Sequence, residues 1–329
     1  MNQKKGSLNK AFLDKAKDCD PQVVYDLLIL GGGPAAMSAA IYGARKMLHL
    51  GIITRDFGGQ VRETTEVENW LGFQAINAMD LADMFEEHVK SFDISVSLPV
   101  SATKVMKEGD VFKVQSDDGK TYSSRALIFA TGNRHRPLNV PGEKELVGRG
   151  VAYCSTCDAP LFSGKKVVVV GGGNSAFTTA ADLLKVDAEV MFVNYEKGWQ
   201  ADEVLQERMQ KMEKVRFMDY SQVLSIEGKD TVEAVRVKRR DGEKEERLEV
   251  GGVFVEIGLL PNNESVKGFV DLNDNGEVII DCGCQTSVDG FFGAGDVTTV
   301  PHKQIIIAAG EGAKAALSAY DYLVNRSFV

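Results

Sequence analysis

Short apolar runs recur along the chain, and glycine follows them. Residues 25–30 lead into Gly31-Gly32-Gly33-Pro34-Ala35-Ala36, and residues 166–170 lead into Gly171-Gly172-Gly173-Asn174-Ser175-Ala176. Behind each glycine turn lies a stretch of helical character, residues 37–47 and 177–185. Apolar runs this short, closed by turn-formers, read as strands. Both segments therefore predict strand, glycine turn, helix. A second pairing repeats the theme. Residues 126–130 run into Thr131-Gly132 and then Pro137, and residues 252–257 run into Gly258 and then Pro261.

The two turns share the spacing G-x-G-x-x-A. In that pattern the first glycine makes the tight turn, the second lets the backbone approach a pyrophosphate, and the small third residue lets helix and strand pack closely. The pyrophosphate then sits at the positive end of the helix. One such motif is weak, since glycine turns also serve packing alone. Two copies 140 residues apart are specific. The pattern predicts an α/β protein with two Rossmann-like dinucleotide-binding domains, the second inserted into the first. Residues 25–138 and 263–329 form the outer domain and residues 139–262 the inserted one, after an N-terminal extension of residues 1–24. Within the last segment, Gly290-Phe291-Phe292-Gly293-Ala294-Gly295-Asp296 places an acid behind small residues. Its carboxylate can accept hydrogen bonds from sugar-type hydroxyls, or it caps a helix starting near His302 or Lys303.

Composition narrows the picture. Of 329 residues, 44% are hydrophobic and 26% charged, an ordinary globular balance of about two domains. The net charge is −9, and no stretch concentrates basic and aromatic residues, so a nucleic-acid partner is not expected. No apolar run reaches the roughly 20 residues that span a bilayer, and residues 1–20 lack the features of a signal peptide. Leu8, Phe12, Leu13 and Ala16 permit a short amphipathic helix in the extension.

The five cysteines are Cys19, Cys154, Cys157, Cys282 and Cys284. An odd number without a signal peptide reads as a reducing compartment, cytoplasmic, rather than a disulfide scaffold. Cys154-Ser155-Thr156-Cys157-Asp158 has the spacing of a redox-active pair at a helix start, where free N–H groups lower a thiol pKa. Asp158 is placed to move a proton to or from the thiolate. Structural zinc is the competitor, with Cys282 and Cys284 as the second pair, but neither pair has a local partner as in zinc ribbons. Cys282 and Cys284 read as near-surface or packing thiols, and Cys19 as a tail residue without a role.

The stretches GGGPAAMSAAIYGAR, FGGQVRETTEVENW, ATGNRHRPLNVPGE, YCSTCDAPLF, GGGNSA, ADEVLQERM, GLLPN and GAGDVTTVPHKQIIIAAGEGAKAALSA together resemble the low-molecular-weight thioredoxin reductases. Within that group they are most similar to the flavoprotein subunit of alkyl hydroperoxide reductase. That subunit carries an additional N-terminal region, which residues 1–24 are too few to supply, so the expected size is that of a free-standing thioredoxin reductase. The resemblance implies FAD in the outer domain, its pyrophosphate on Gly31, Gly33 and Ala36. Asp56 would lie near the adenosine ribose, and Gln60 and Asn69 near the flavin. Gly132 would lie at the close of the FAD unit, Asp296 at the ribityl chain and Gln304 near the ring. It implies Cys157 facing the flavin, Cys154 attacking a thioredoxin-type disulfide, Asp158 as proton donor, and a homodimer.

The nicotinamide nucleotide falls to Gly171, Gly173, Ala176 and Asn194. Family members that use NADPH carry arginines after the second strand of the inserted domain, to pair with the 2′-phosphate. Here residues 188–193 are followed by Asn194-Tyr195-Glu196-Lys197, with no arginine. NADH is therefore expected over NADPH, with a donor such as ferredoxin as the alternative. A peroxiredoxin or glutaredoxin-like acceptor is the alternative to thioredoxin. Because the cysteine pair and the nicotinamide site share the inserted domain, that domain is expected to rotate, with hinges near residues 139–142 and 259–262.

Overall fold

The structure is a computed structural model that describes residues 17–63 and 66–329. The side chains of Glu63, Thr156 and Cys157 lie outside the description, as does the amphipathic spacing of residues 8–16. The chain folds as two units. The first comprises Met1–Arg62, Trp70–Arg134 and Leu260–Val329; the second comprises Glu63–Asn69 and His135–Leu259.

The first unit opens with β1 (Val24–Leu30), α1 (Pro34–Arg45), β2 (Leu50–Ile53), α2 (Ala78–Lys90) and β3 (Ser95–Ser97). A β4 (Ala102–Glu108), β5 (Val111–Ser116), β6 (Thr121–Phe129) meander follows. In the second unit come β7 (Val151–Ala152), α3 (Ser155–Asp158), β8 (Lys166–Val170), α4 (Asn174–Lys185), β9 (Glu189–Val193), α5 (Glu203–Gln210) and β10 (Val215–Met218). These lead to β11 (Ser221–Glu227), β12 (Ala234–Arg239), β13 (Glu245–Glu249) and β14 (Gly252–Val255). The chain returns to the first unit with β15 (Phe291–Gly293) and α6 (Ile305–Asn325).

The first sheet runs β3-β2-β1-β6-β5-β4, and β15 pairs with the end of β6. Strands β3, β2, β1, β6 and β15 are parallel; β4 and β5 are antiparallel. Strand β6 changes partner along its length, from β5 at Thr121–Ser124 to β15 at Leu127–Phe129. Both faces of its parallel part are buried. Leu27, Ile29, Ala126 and Ile128 point into the core beneath α1 and α6, while Leu28, Leu30, Leu127 and Phe129 point into the opposite core. A parallel strand covered on both faces reads as an unbroken apolar run, which is why residues 27–30 and 126–130 show no polar alternation.

The second unit repeats the plan with the parallel sheet β7-β14-β8-β9-β10. Val167 and Val169 face one core, Val168 and Val170 the other. The antiparallel meander β11-β12-β13 extends from it.

Residues 17–23 are part of the first unit's fold. The Lys17 carbonyl accepts the Val96 N–H (2.8 Å), and Cys19 is buried with its thiol against the Ile52 carbonyl (3.5 Å). Cys19 is thus a core residue rather than a tail residue. It fills the space beside Gly51, where a Cβ would meet its sulfur at 2.9 Å.

Besides the short Glu63–Asn69 excursion, the chain passes between the units at two crossings, Arg134–His135 and Leu259–Leu260. Residues 138–143 are tied down within the second unit. Buried Glu143 accepts the Leu138 and Asn139 N–H groups (2.8 and 2.7 Å) and the Tyr153 hydroxyl (2.9 Å). In the first unit Asn262 clasps the crossing. Its amide donates to the Thr131 carbonyl (2.9 Å), its carbonyl accepts the Thr131 hydroxyl (2.8 Å), and its N–H reaches Gly132 O (3.0 Å).

Candidate active site

Both glycine turns use their residues as the spacing requires. At Gly31 φ is +120° and a Cβ would lie 2.3 Å from Ala130 O; at Gly171 φ is +140° and a Cβ would lie 2.3 Å from Glu256 O. These are the tight turns, where no side chain fits. Gly33 and Gly173 differ: nothing lies within 4 Å of a Cβ on either. Each is the N-cap of its helix and carries no capping side chain. The open face and the uncapped N–H groups suit an anion brought close to the backbone. Ala36 and Ala176 are fully buried against their strands.

In the first unit a second helix packs against α1. Helix α6 crosses α1 so closely that a Cβ on Gly312 would lie 1.9 Å from Ala35 O. Helix α6 also begins with no acid in its first turn and no capping side chain, its N-cap being Gln304. Asp296 does not cap α6. It lies in the turn after β15, whose pairing with β6 brings it to the carboxyl edge of the sheet, near Gly132. Its carboxylate takes no hydrogen bond from the described residues, and burial raises its pKa to about 6 against the opposing pull of Lys303. A half-buried acceptor without a donor is a position for ligand hydroxyls.

Gln60 joins this group. Its amide donates to Asn133 Oδ1 (2.6 Å) and O (2.9 Å), and Asn133 Nδ2 reaches Asp296 O (3.5 Å). Sequence reasoning missed Asn133, although it directly follows Thr131-Gly132. Gly59 lies over Gly33, where its Cβ would be 3.5 Å from Gly33 Cα. Asp56 places its carbonyl 1.8 Å from where a Gly32 Cβ would be, while its side chain is exposed. Gly31, Gly33, Gln60, Gly132 and Asp296 therefore line one region of the first unit. Asn69 is grouped with the second unit, in Glu63–Asn69. These residues fit a flavin dinucleotide: the uncapped start of α1 for its pyrophosphate, a carboxylate with no hydrogen bond from the described residues for its hydroxyls.

In the second unit Cys154 is the extended N-cap of α3 (φ −137°), and the Asp158 N–H closes that turn on the Cys154 carbonyl (3.0 Å). A single turn provides free N–H groups at its start rather than a long dipole. Ser155 ties α3 to α4 through Asp182 (3.1 Å). Before Cys154, Tyr153 stacks on His135 at 4.7 Å, and burial holds the His135 pKa down to about 4. The backbone puts Cys157 in the same turn; the role expected of its thiol lies outside the described atoms.

Asn194 follows β9, where a Rossmann fold meets the adenosine ribose. It is 4% exposed, and its amide donates to Gly198 O (2.6 Å) and Gln200 Oε1 (3.3 Å). Both N–H groups therefore go to the loop that follows, leaving Oδ1 as its group for a ribose hydroxyl.

Sequence reasoning also missed Glu256. It follows β14 beneath Gly171, accepts the Thr179 hydroxyl (2.7 Å), and is pushed by burial to a pKa of about 7.

Cys282 is exposed, whereas Cys284 is buried, donates to Glu311 (3.2 Å), and has its pKa raised to about 12 by burial and that carboxylate. Among the described residues no group of three or more His, Cys, Asp or Glu could hold a metal ion, and no helix is long and apolar enough to cross a membrane.

The family described as pyridine nucleotide-disulphide oxidoreductase matches residues 25–312. A Pseudomonas putida protein named as a subunit of alkyl hydroperoxide reductase is 42% identical over 316 residues, 95% of this chain and 61% of that protein. A Bacillus subtilis (strain 168) protein named NADH dehydrogenase is 43% identical over 301 residues, 92% of this chain and 59% of its own length. The chain thus spans about three fifths of these curated relatives. The crystal structure of thioredoxin reductase from Streptococcus pyogenes MGAS5005 superposes with a TM-score of 0.85 at 35% identity, covering 92% of this chain and 99% of that one. Two dinucleotide turns, one cysteine pair and these likenesses agree: the chain belongs to the pyridine nucleotide-disulphide oxidoreductases, of the type shared by thioredoxin reductase and the alkyl hydroperoxide reductase flavoprotein.

Proposed function

We propose that the protein is an FAD-dependent protein-disulfide reductase that passes electrons from NADH to the Cys154–Cys157 pair and from there to a thioredoxin-type disulfide. The observation that carries this is the cysteine pair in the same unit as a second dinucleotide turn whose Gly173 face is open. FAD, when bound, supplies two-electron exchange between a nicotinamide and a dithiol.

The chain's own residues do the rest. Gly31 and Gly33 admit the flavin pyrophosphate to the N–H groups of α1; Asp296 holds the ribityl hydroxyls; Gln60, whose amide donates to Asn133, holds Asn133 beside it. Gly171, Gly173 and Ala176 hold the nicotinamide nucleotide. The Cys154 thiolate attacks the partner's disulfide, Cys157 resolves the mixed disulfide, and Asp158 returns the proton to the leaving thiolate. The second unit must offer its nucleotide and its cysteines to the flavin in turn, so it rotates about the two crossings. NADH is favoured by the absence of arginine in residues 194–197, and the name of the B. subtilis relative points the same way.

A second acceptor is favoured by the curated relatives named for alkyl hydroperoxide reductase: a peroxiredoxin disulfide in place of thioredoxin.

The test is anaerobic titration of the purified protein, following bleaching of the visible flavin band with NADH and NADPH separately, then reoxidation by oxidised thioredoxin or peroxiredoxin. Bleaching by NADH followed by reoxidation with either protein is expected. Bleaching by neither nucleotide would remove the nicotinamide reading.

A further inference from the structure

The loop after β9 is stitched to the second dinucleotide turn at its C-terminal end. The Gln200 and Ala201 N–H groups bond to Gly172 O (2.8 and 3.0 Å), and Asn174 exchanges hydrogen bonds with Asp202 (2.8 and 3.2 Å). The loop therefore stands beside the open face of Gly173. It carries Tyr195, 51% exposed, and Lys197.

From 45 residues further along the chain, Arg240 reaches the same place. Its guanidinium lies 3.8 Å from the Tyr195 ring centre and 4.8 Å from that of Tyr220, and it donates to Tyr195 O (3.0 Å). Lys197 Nζ sits 5.0 Å over Tyr220. Two cations thus converge on one aromatic platform.

Arg240 is set apart from its neighbours by what it lacks. Arg239 is paired with Asp241, Arg236 with Glu227 and Glu245, and Arg247 with Glu227 and Glu249. Among the described residues no carboxylate lies within ion-pair distance of Arg240 or Lys197. Asp219 accepts the Gly198 N–H (2.9 Å). The platform is also held under strain. Tyr220 has φ +46°, rare for a bulky residue, and is kept there by its N–H on Glu196 O (3.0 Å) and its carbonyl under the Arg240 N–H (2.8 Å). Glu196, Asp219 and Asp241 are the charges that oppose the site.

We propose that Arg240 and Lys197 form an anion subsite at the adenosine end of the nucleotide site that accepts the 2′-phosphate of NADPH. Arginine is suited to this, since its flat guanidinium can stack on an aromatic ring and still direct N–H groups to a phosphate. NADPH is then a second donor beside NADH, despite the absence of arginine in the loop itself. The inference rests on the reading of the second unit as the nicotinamide-binding unit.

Anaerobic isothermal titration of the flavin-loaded protein, its flavin and cysteine pair reduced beforehand with dithionite, with 5′-ADP, 2′,5′-ADP, NADH and NADPH tests it without turnover. NADPH is expected to bind within about tenfold of NADH. Arg240→Gln is expected to weaken 2′,5′-ADP and NADPH about tenfold while changing 5′-ADP and NADH less than about twofold. Arg239→Gln removes the same charge from an ion-paired neighbour and is expected to leave all four unchanged. NADPH weaker than NADH by more than about a hundredfold would overturn the subsite. So would Arg240→Gln weakening all four ligands alike, the result of a purely loop-holding role. If 5′-ADP and NADH also fail to bind wild-type protein, the reading of the second unit fails with it.

Discussion

At the scale of single residues, glycines in one motif carry different burdens. Gly31→Ala puts a methyl group 2.3 Å from a backbone oxygen at a left-handed φ, so a loss above about 2 kcal/mol is expected in chemical denaturation. Gly33→Val enters open space and should cost the fold about 1 kcal/mol or less. It should nonetheless purify with little flavin, read as absorbance per mole of protein; normal flavin content would remove Gly33 from the pyrophosphate site. Cys154→Ser should leave bleaching by NADH intact and abolish reduction of the protein disulfide. Loss of both would contradict the roles given to the pair. These positions were legible in the chain, since a turn and a two-residue cysteine spacing are local features. Cys19 was not: nothing near it in sequence reveals that Gly51 leaves room for its sulfur.

At the scale of elements, the α4–β14 contact holds a carboxyl whose proton matters. Burial lifts Glu256 from 4.5 to about 7. Between those values the folded state holds a proton that the unfolded chain has released, so stability falls as pH rises through this window. Glu256→Gln keeps a partner for Thr179 and removes the titration. The variant should match wild type near pH 5 and exceed it near pH 8, by at most about 3 kcal/mol. Thermal unfolding across that range measures it; parallel pH profiles would mean Glu256 is already ionised in the fold. Asn194 makes a related point. Asn194→Asp would set a carboxylate against Gly198 O, 2.6 Å from the present amide nitrogen. The acid should therefore loosen the loop rather than strengthen NADH binding, seen as a weaker NADH Kd.

At the scale of the whole molecule, the two units repeat one plan, a parallel sheet with a glycine turn at its carboxyl edge. The proposed cycle asks the second unit to move. A covalent crosslink between the units should stop turnover while leaving flavin bound, and full activity in the crosslinked protein would end the rotation hypothesis. The crossings lie at Arg134–His135 and Leu259–Leu260, whereas Asn139 and Gly142 are held inside the second unit by Glu143 and Ile226. Glycine and proline marked punctuation near 139–142, and the neighbouring Glu143 carboxylate takes the Leu138 and Asn139 N–H groups there.

The α/β class, the duplicated turn, the insertion of one unit in the other and the cysteine pair were all written in short stretches of chain. Strand burial and turn geometry act over a few residues, so their pattern survives in one dimension. Folding alone decided which distant groups meet. Asn133 reaches Gln60 across 73 residues, Thr179 reaches Glu256 across 77, and Arg240 comes to the loop after β9 from another sheet. Such encounters depend on strand order and on which edge of a sheet each turn occupies, and no local pattern encodes either.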